Sequence, residues 1–314
     1  MLVDAVELTA ECRAFNEQLA QLLATLPPTH TVPVEVTRRA RREGKGFWPP
    51  PVHLERAREL RIPGRGGEIV LRAIPPEGEA TGAYLHVHGG GHVLGSADGQ
   101  DPLLGELADA TGLCAVSVEY RLAPEHPHPA GADDCEDAAL WLVREGAEAL
   151  DVPPVFAIGG ESAGAHLSAL TLLRLRDGHG LRPFRAANLV YGVYDLAGTP
   201  SRAHWDGDLV LSRPLMAWFG DCYLPDVPVE ERRTPELSPL WADLEGMPPA
   251  LFSVGTLDPL LDDSLFMHAR WQAAGNDAEL RVYAEAVHGF NLFPLAVARR
   301  ANDDQYAFLK EAIA

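Results

Sequence analysis

Apolar runs and helical segments alternate along most of this chain. "ARELRIP" and "GEIVLRAIP" flank the turn-rich "GRGG" and read as two short strands. After them "AYLHVHG", "LCAVSVEY", "VFAIGG", "AANLVYGVY", "ALFSVGT" and "ELRVYAEA" are further strand candidates. Segments near 100–111, 132–148, 163–177, 260–275 and 295–312 show helical spacing and separate most of them. Such alternation predicts right-handed crossovers and a mainly parallel sheet flanked by helices, with the two leading strands as an antiparallel edge. Upstream, residues 5–26 form an amphipathic pattern, with Phe15, Leu19, Leu22, Leu23 and Leu26 at helical spacings and "LPP" as the stop. "PVEVTRRARREGKG" predicts a short exposed helix whose arginines form a solvated face, with an anion site as the alternative. Between about 196 and 240 the pattern breaks into an irregular, Trp-bearing, Pro-rich stretch. A long insertion placed after a strand end is the mark of a lid or functional loop.

Composition narrows the partners. The 314 residues carry 26 basic and 45 acidic side chains, a net charge of −19, which argues against nucleic acid or an anionic membrane surface. No stretch reaches the apolar length of a membrane span. Four cysteines (Cys12, Cys114, Cys135, Cys222) show no CxxC pair, and the N-terminus lacks a charged-then-apolar signal pattern. Together these features predict reduced, mostly buried thiols and a cytoplasmic setting.

Two motifs carry the chemistry. "VFAIGGESAGAHLSALTLLRLRD" runs from an apolar strand through Gly160, Glu161, Ser162, Ala163 and Gly164 into a helix. A serine on a tight strand-to-helix turn holds its Oγ clear of the sheet, and the helix N-terminus adds positive potential where an oxyanion would develop. Earlier, "YLHVHGGGHVLGS" places Gly89, Gly90 and Gly91 at a strand end. Glycines there keep side chains away so that backbone N–H groups can reach a substrate oxygen. A dinucleotide fingerprint would want glycine or alanine where Leu94 stands, and a phosphate loop would want Gly-Lys after its second glycine. His86 and His88 share one strand face, but no carboxylate or cysteine motif nearby completes a metal site, and none is predicted. A serine nucleophile needs a histidine base and an orienting acid, in the order Ser, Asp or Glu, His for this architecture. Asp258 and His288 stand just past strand ends downstream, where open parallel sheets gather their sites. Asp262 and Asp263 are rival acids, but they fall where the next helix begins, a place that favours aspartate for the helix dipole alone.

"HGGG", "YRLAPEHPHPA", "GGESAGAHLSA", "GTLDPLLDD" and "HGF", in that order over roughly residues 55–314, resemble the hormone-sensitive-lipase-like family of α/β-hydrolases. The resemblance implies an α/β-hydrolase core at 55–195 and 241–314. It implies a helical cap made of an N-terminal arm at 1–54 and an insertion at 196–240, after the sixth core strand. It implies a serine carboxylesterase for short- to medium-chain acyl esters, with Ser162 as nucleophile, Asp258 as acid, His288 as base and N–H donors from Gly90, Gly91 and Ala163. His88, Gly89, Gly160, Glu161 and Gly164 complete the motifs, and no cofactor is needed. The partner is then a small-molecule ester. Amide, lactone or formamide hydrolysis is the alternative on the same fold, and a non-catalytic small-molecule receptor is the alternative of another class.

Three positions depart from the family pattern: His92 in place of an aromatic residue, Glu161 in place of aspartate, and Ala165-His166 in place of Gly-Asn. "YRLAPEHPHPA" is expected to be a rigid supporting turn in spite of Glu125, His126 and His128. His92, Trp205, Trp218 and Phe290, with Phe47 and Trp48, are candidate pocket walls. An exposed last strand or helix would allow a homodimer. A base of this kind predicts a limb in activity near pH 6 to 7, from a histidine that must be neutral.

Overall fold

A computed structural model describes residues 1–3 and 6–314; the side chain of Val6 is not included. Asp4 and Ala5, the latter the expected first residue of the opening helix, lie outside the described residues. In chain order the elements are β1 (Leu2–Val3), α1 (Val6–Leu23), α2 (Val34–Arg42), β2 (Arg58–Gly64), β3 (Gly67–Ile74), β4 (Gly82–Val87), α3 (Asp101–Thr111) and β5 (Leu113–Glu119). They continue with α4 (Ala130–Trp141), α5 (Ala147–Leu150), β6 (Phe156–Glu161), α6 (Ala163–His179), β7 (Phe184–Val190), α7 (Pro200–Ala203) and α8 (Arg213–Tyr223). β8 (Ala250–Leu257), α9 (Leu261–Ala273), β9 (Ala278–Val287) and α10 (Ala296–Ile313) complete the chain.

The nine described strands form one sheet in the order β1-β9-β8-β7-β6-β4-β5-β3-β2. β2 and β3 pair antiparallel with each other, β3 pairs antiparallel with β5, and the remaining pairs are parallel. Every residue of β4 and β6 is buried, as expected of strands covered by helices on both faces. That double burial explains why the central strands read as continuous apolar runs.

Three details differ from the sequence expectation. The helix expected at 132–148 is α4, a π-helical turn at Leu142–Gly146, and α5 in series. The stretch expected to be irregular holds a full helix, α8, capped by Ser212 and opened by Pro214. Its tryptophan and proline hid the periodicity. The last strand is also not bare: β1 pairs with Val282 and Tyr283 of β9 along the sheet edge, too short an element to show as a pattern.

α1, α2 and the stretch at 196–240 are tied to the sheet and its loops by specific bonds. Arg38 on α2 donates to the Val93 and Ala123 carbonyls (2.9 and 2.8 Å) and pairs with Glu125. Asn16 on α1 donates to the Glu285 carbonyl at 2.9 Å. Asp263 is a further anchor, which corrects its reading as a mere helix-opening residue. Fully buried, it accepts the Tyr194 and Asp195 N–H groups (2.6 and 3.0 Å) and the Thr199 hydroxyl (2.6 Å), fixing the chain as it enters the insertion.

Candidate active site

Five strand ends converge under the insertion. β4 leads into Gly89–Gly91, β6 into Ser162, β7 into Tyr191, β8 into Asp258, and β9 into His288. Ser162 sits at φ 57° and ψ −117°, a conformation costly for a residue with a side chain. Its N–H donates to the Val190 carbonyl at 2.9 Å, which pins the turn from the neighbouring strand. Gly160 and Gly164 on either side are required by one obstacle: a Cβ on them would come within 2.0 and 1.8 Å of the Val87 carbonyl oxygen. The motif glycines therefore let β6 and α6 close onto β4, and Ser162 is raised above that junction.

His288 Nε2 lies 3.0 Å from Ser162 Oγ, and His288 Nδ1 lies 2.8 Å from Asp258 Oδ2. The other oxygen of Asp258 accepts the Leu260 N–H at 2.8 Å, so the carboxylate cannot rotate away. Asp258 and His288 are buried while Ser162 is partly open. The structure thus brings the three residues together in a chain, and Asp262 and Asp263 have no contact with His288. Asp262 instead accepts the Ser201 N–H at 2.7 Å.

The glycine run has packing reasons beyond the expected approach to substrate. Gly90, at φ 121°, would place a Cβ 2.0 Å from the Leu94 carbonyl oxygen, and Gly91, at φ 64°, would place one 2.4 Å from the Phe219 ring of α8. A Cβ on Gly89 would meet the Glu161 carbonyl at 2.8 Å. Among the described residues no acceptor takes the N–H of Gly90, Gly91 or Ala163. These three donors are free to point at one oxygen beside Ser162.

Beneath the serine, Glu161 Oε2 lies 3.0 Å from His86 Nε2, and His86 Nδ1 lies 2.9 Å from Ser117 Oγ. His88 Nδ1 donates to the Gly89 carbonyl at 2.9 Å, and its ring stacks on Tyr120, whose hydroxyl donates to the His88 carbonyl. Burial lowers the His88 pKa to about 4, so the ring is neutral. The "YRLAPEHPHPA" segment supports the glycine loop through Tyr120 and is itself clamped by Arg121 on Asp134.

Four candidate pocket walls are misplaced. A cavity of about 1300 Å³ contains Ser162 and His288, and His92, Trp205, Trp218 and Phe290 are not among its lining residues. His92 is buried in left-handed backbone (φ 63°), stacks on Tyr223 with centroids 3.9 Å apart, and meets His166 Nδ1 through Nε2 at 3.1 Å. His166 Nε2 in turn donates to the Leu237 carbonyl at 2.8 Å, so its Nδ1 accepts and His92 Nε2 donates. The two departures from the family pattern at 92 and 166 are therefore one feature, a buried uncharged pair joining the glycine loop to α6 and the insertion. Burial holds His166 at a pKa of about 4 and His92 well below the usual histidine range. Trp205 is turned to the Leu211 carbonyl, and Phe290 is core, packed between Tyr191 and Tyr283. Trp218 packs on Phe219, which is the ring that faces the cavity.

Phe47 and Trp48 do line the cavity, together with Phe219, Val210, Leu211 and Leu215 of the insertion. Sequence reasoning missed Phe219 and Tyr191. Tyr191 follows directly on β7, and its ring lies 4.7 Å from that of His288 while its hydroxyl bonds Asn291. Its place just past a strand end was the available signal.

Comparison with known proteins agrees with this geometry. Residues 84–292 match the family model described as alpha/beta hydrolase fold. The chain is 34% identical over 307 residues to the carboxylesterase NlhH of Mycobacterium tuberculosis, covering 94% of this chain and 95% of that protein. It is 34% identical over 264 residues to the carboxylic ester hydrolase LipN of the same organism, covering 82% of this chain and 70% of that protein. Among solved structures, the hyperthermophilic esterase from Pyrobaculum calidifontis superposes with a TM-score of 0.86 at 34% identity, over 96% of this chain and 98% of that one. This chain belongs to the hormone-sensitive-lipase-like family of α/β-hydrolases.

Proposed function

We propose that this carboxylic ester hydrolase acts on short- to medium-chain acyl esters through an acyl-enzyme on Ser162. The observation that carries the reading is the chain Asp258–His288–Ser162, at 2.8 and 3.0 Å, beside three unengaged backbone N–H groups. His288 Nε2 takes the Ser162 proton as Oγ bonds to the ester carbon, and the carbonyl oxygen becomes an oxyanion held by Gly90, Gly91 and Ala163. The carbon–oxygen bond to the alcohol then breaks, with the proton passing from His288 to the leaving oxygen. A water molecule repeats the attack with His288 again as base, releasing the acid and restoring Ser162. Asp258 keeps the imidazole in the tautomer that offers Nε2 as acceptor. Four free cysteines, three of them buried, support placing this enzyme in the reducing cytoplasm. The described residues hold no helix long and apolar enough to cross a membrane.

The test combines an organophosphate label with a substrate series. A mass adduct on the Ser162 peptide, and p-nitrophenyl ester turnover that peaks at one acyl length and vanishes in Ser162→Ala, are expected. An adduct elsewhere, or full turnover by a folded Ser162→Ala protein, would overturn the assignment.

A further inference from the structure

One charge at the cavity is not used by the reaction. Arg41 on α2 lines the cavity, its guanidinium carbon 5.4 Å from the centroid of the Trp48 ring. Its neighbour Arg38 is consumed by two carbonyls and Glu125. Among the described residues, no carboxylate pairs with Arg41 and no acceptor takes its N–H groups. Burial accordingly lowers its pKa to about 10, with no opposite charge to offset the effect. Arg41 is half-buried at the cavity surface, which Arg42 and Arg299 also line, and what distinguishes it is that it is laid over the Trp48 ring with no acid beside it.

Its position relative to the reacting atoms follows from Trp48. That ring covers Gly289, the residue after His288, closely enough that a Cβ there would come within 2.6 Å of it. It also stacks on Phe293 at 5.4 Å and 7°. The indole Nε1 is buried without an acceptor, so the ring is held by packing. Since His288 must hand its proton to the leaving alcohol, the alcohol half of the substrate departs on the His288 side, toward Trp48 and Arg41. At Gly91 the wall is the apolar Phe219.

Resting on the esterase reading, we infer that Arg41 is a subsite for an anionic group, a carboxylate, carried on the alcohol half of the ester. A planar fork of N–H donors over an aromatic face is suited to bind a carboxylate in two-point fashion.

The test pairs 4-carboxyphenyl butyrate with 4-carbamoylphenyl butyrate, which differ in charge and hardly in shape. In Arg41→Met the ratio of the two kcat/KM values, carboxylate over carboxamide, falls about tenfold or more, the size of a lost charge-assisted hydrogen bond. Arg41→Lys, which keeps the charge and loses the fork, gives an intermediate ratio. An unchanged ratio in Arg41→Met would make the residue a brace for Trp48 and overturn the inference. Selective loss on mono-4-nitrophenyl glutarate alone, with the anion on the acyl half, would overturn its placement. Calorimetry on the wild type needs neither a variant nor turnover: 4-hydroxybenzoate should bind more tightly than 4-hydroxybenzamide. Equal affinity counts against the subsite, whereas failure to hydrolyse any neutral ester counts against the Ser162 assignment instead.

Discussion

The two walls of the cavity are built on different terms. The floor, from β4, β6, β8 and β9, is set by backbone meeting backbone: one carbonyl, that of Val87, dictates both glycines around Ser162, and Val190 holds the Ser162 N–H. The roof, from α2, the segment that follows it and α8, is side chain laid on side chain, with Phe47, Trp48 and Phe219 reaching down and a few bonds from Arg38 and Asp263 holding it. Backbone contacts leave little freedom in residue choice, whereas aromatic contacts accept many. In the proposed reaction, chemistry belongs to the floor and choice of substrate to the roof.

The sharpest way to break this division is to disable the floor without disturbing packing. Asp258→Asn keeps the volume but favours the wrong imidazole tautomer, and kcat is expected to drop about 10⁴-fold in steady-state assays. A fall of less than about tenfold would mean that Asp258 does not orient His288. Next in size is Gly164→Ala, whose methyl would stand 1.8 Å from the Val87 oxygen. About 3 kcal/mol or more of stability should be lost, together with activity, as read by urea unfolding. A stable and active Gly164→Ala protein would refute the backbone account of the elbow.

The junction between floor and roof should be sensitive to acid. Burial keeps His88, His128 and His166 near a pKa of about 4, and His92 well below the usual histidine value, all neutral in the folded protein. Unfolded histidine takes up its proton near pH 6.5, so this stability is complete above pH 6.5 and is lost as pH falls toward 4. Asp263 works the other way: burial raises it to about 6, so the folded state gains as pH drops from 6 toward the ordinary aspartate range. Four histidines outweigh one aspartate, and the urea midpoint should be lower at pH 5 than at pH 7.5. Replacing His166 by Asn should recover about 2 kcal/mol of that difference, the cost of one unprotonated histidine at pH 5. An equal slope in wild type and variant would contradict a neutral His92–His166 pair.

The smallest effect belongs to the roof. Phe219→Ala opens the space over Gly91 and should shift the p-nitrophenyl ester optimum to longer acyl chains, with changes of about tenfold in relative kcat/KM. An unchanged chain-length profile would place the acyl group elsewhere.

The same division explains what could be read from the residues alone. Strand ends, Ser162, Asp258, His288 and the glycine loop were legible because each rests on a steric or chemical demand that few residues satisfy. Helix α8 was hidden by Pro214, Trp218 and the surrounding irregular chain. The pocket walls failed for a related reason. An aromatic residue in a cap can face the cavity, as Phe219 does, or turn one position away, as Trp218 does, and no local pattern distinguishes the two. His92 and His166 stood out as departures, yet their meeting across 74 positions is a tertiary fact.

The Val87 carbonyl has a consequence for how this enzyme can change. It occupies the space that any side chain at 160 or 164 would need, so a mutational search at the nucleophile turn will return almost only dead variants. New substrate range has to be sought on the arm and α8, where residues such as Phe47 and Phe219 can be exchanged without moving the strand on which the chemistry stands.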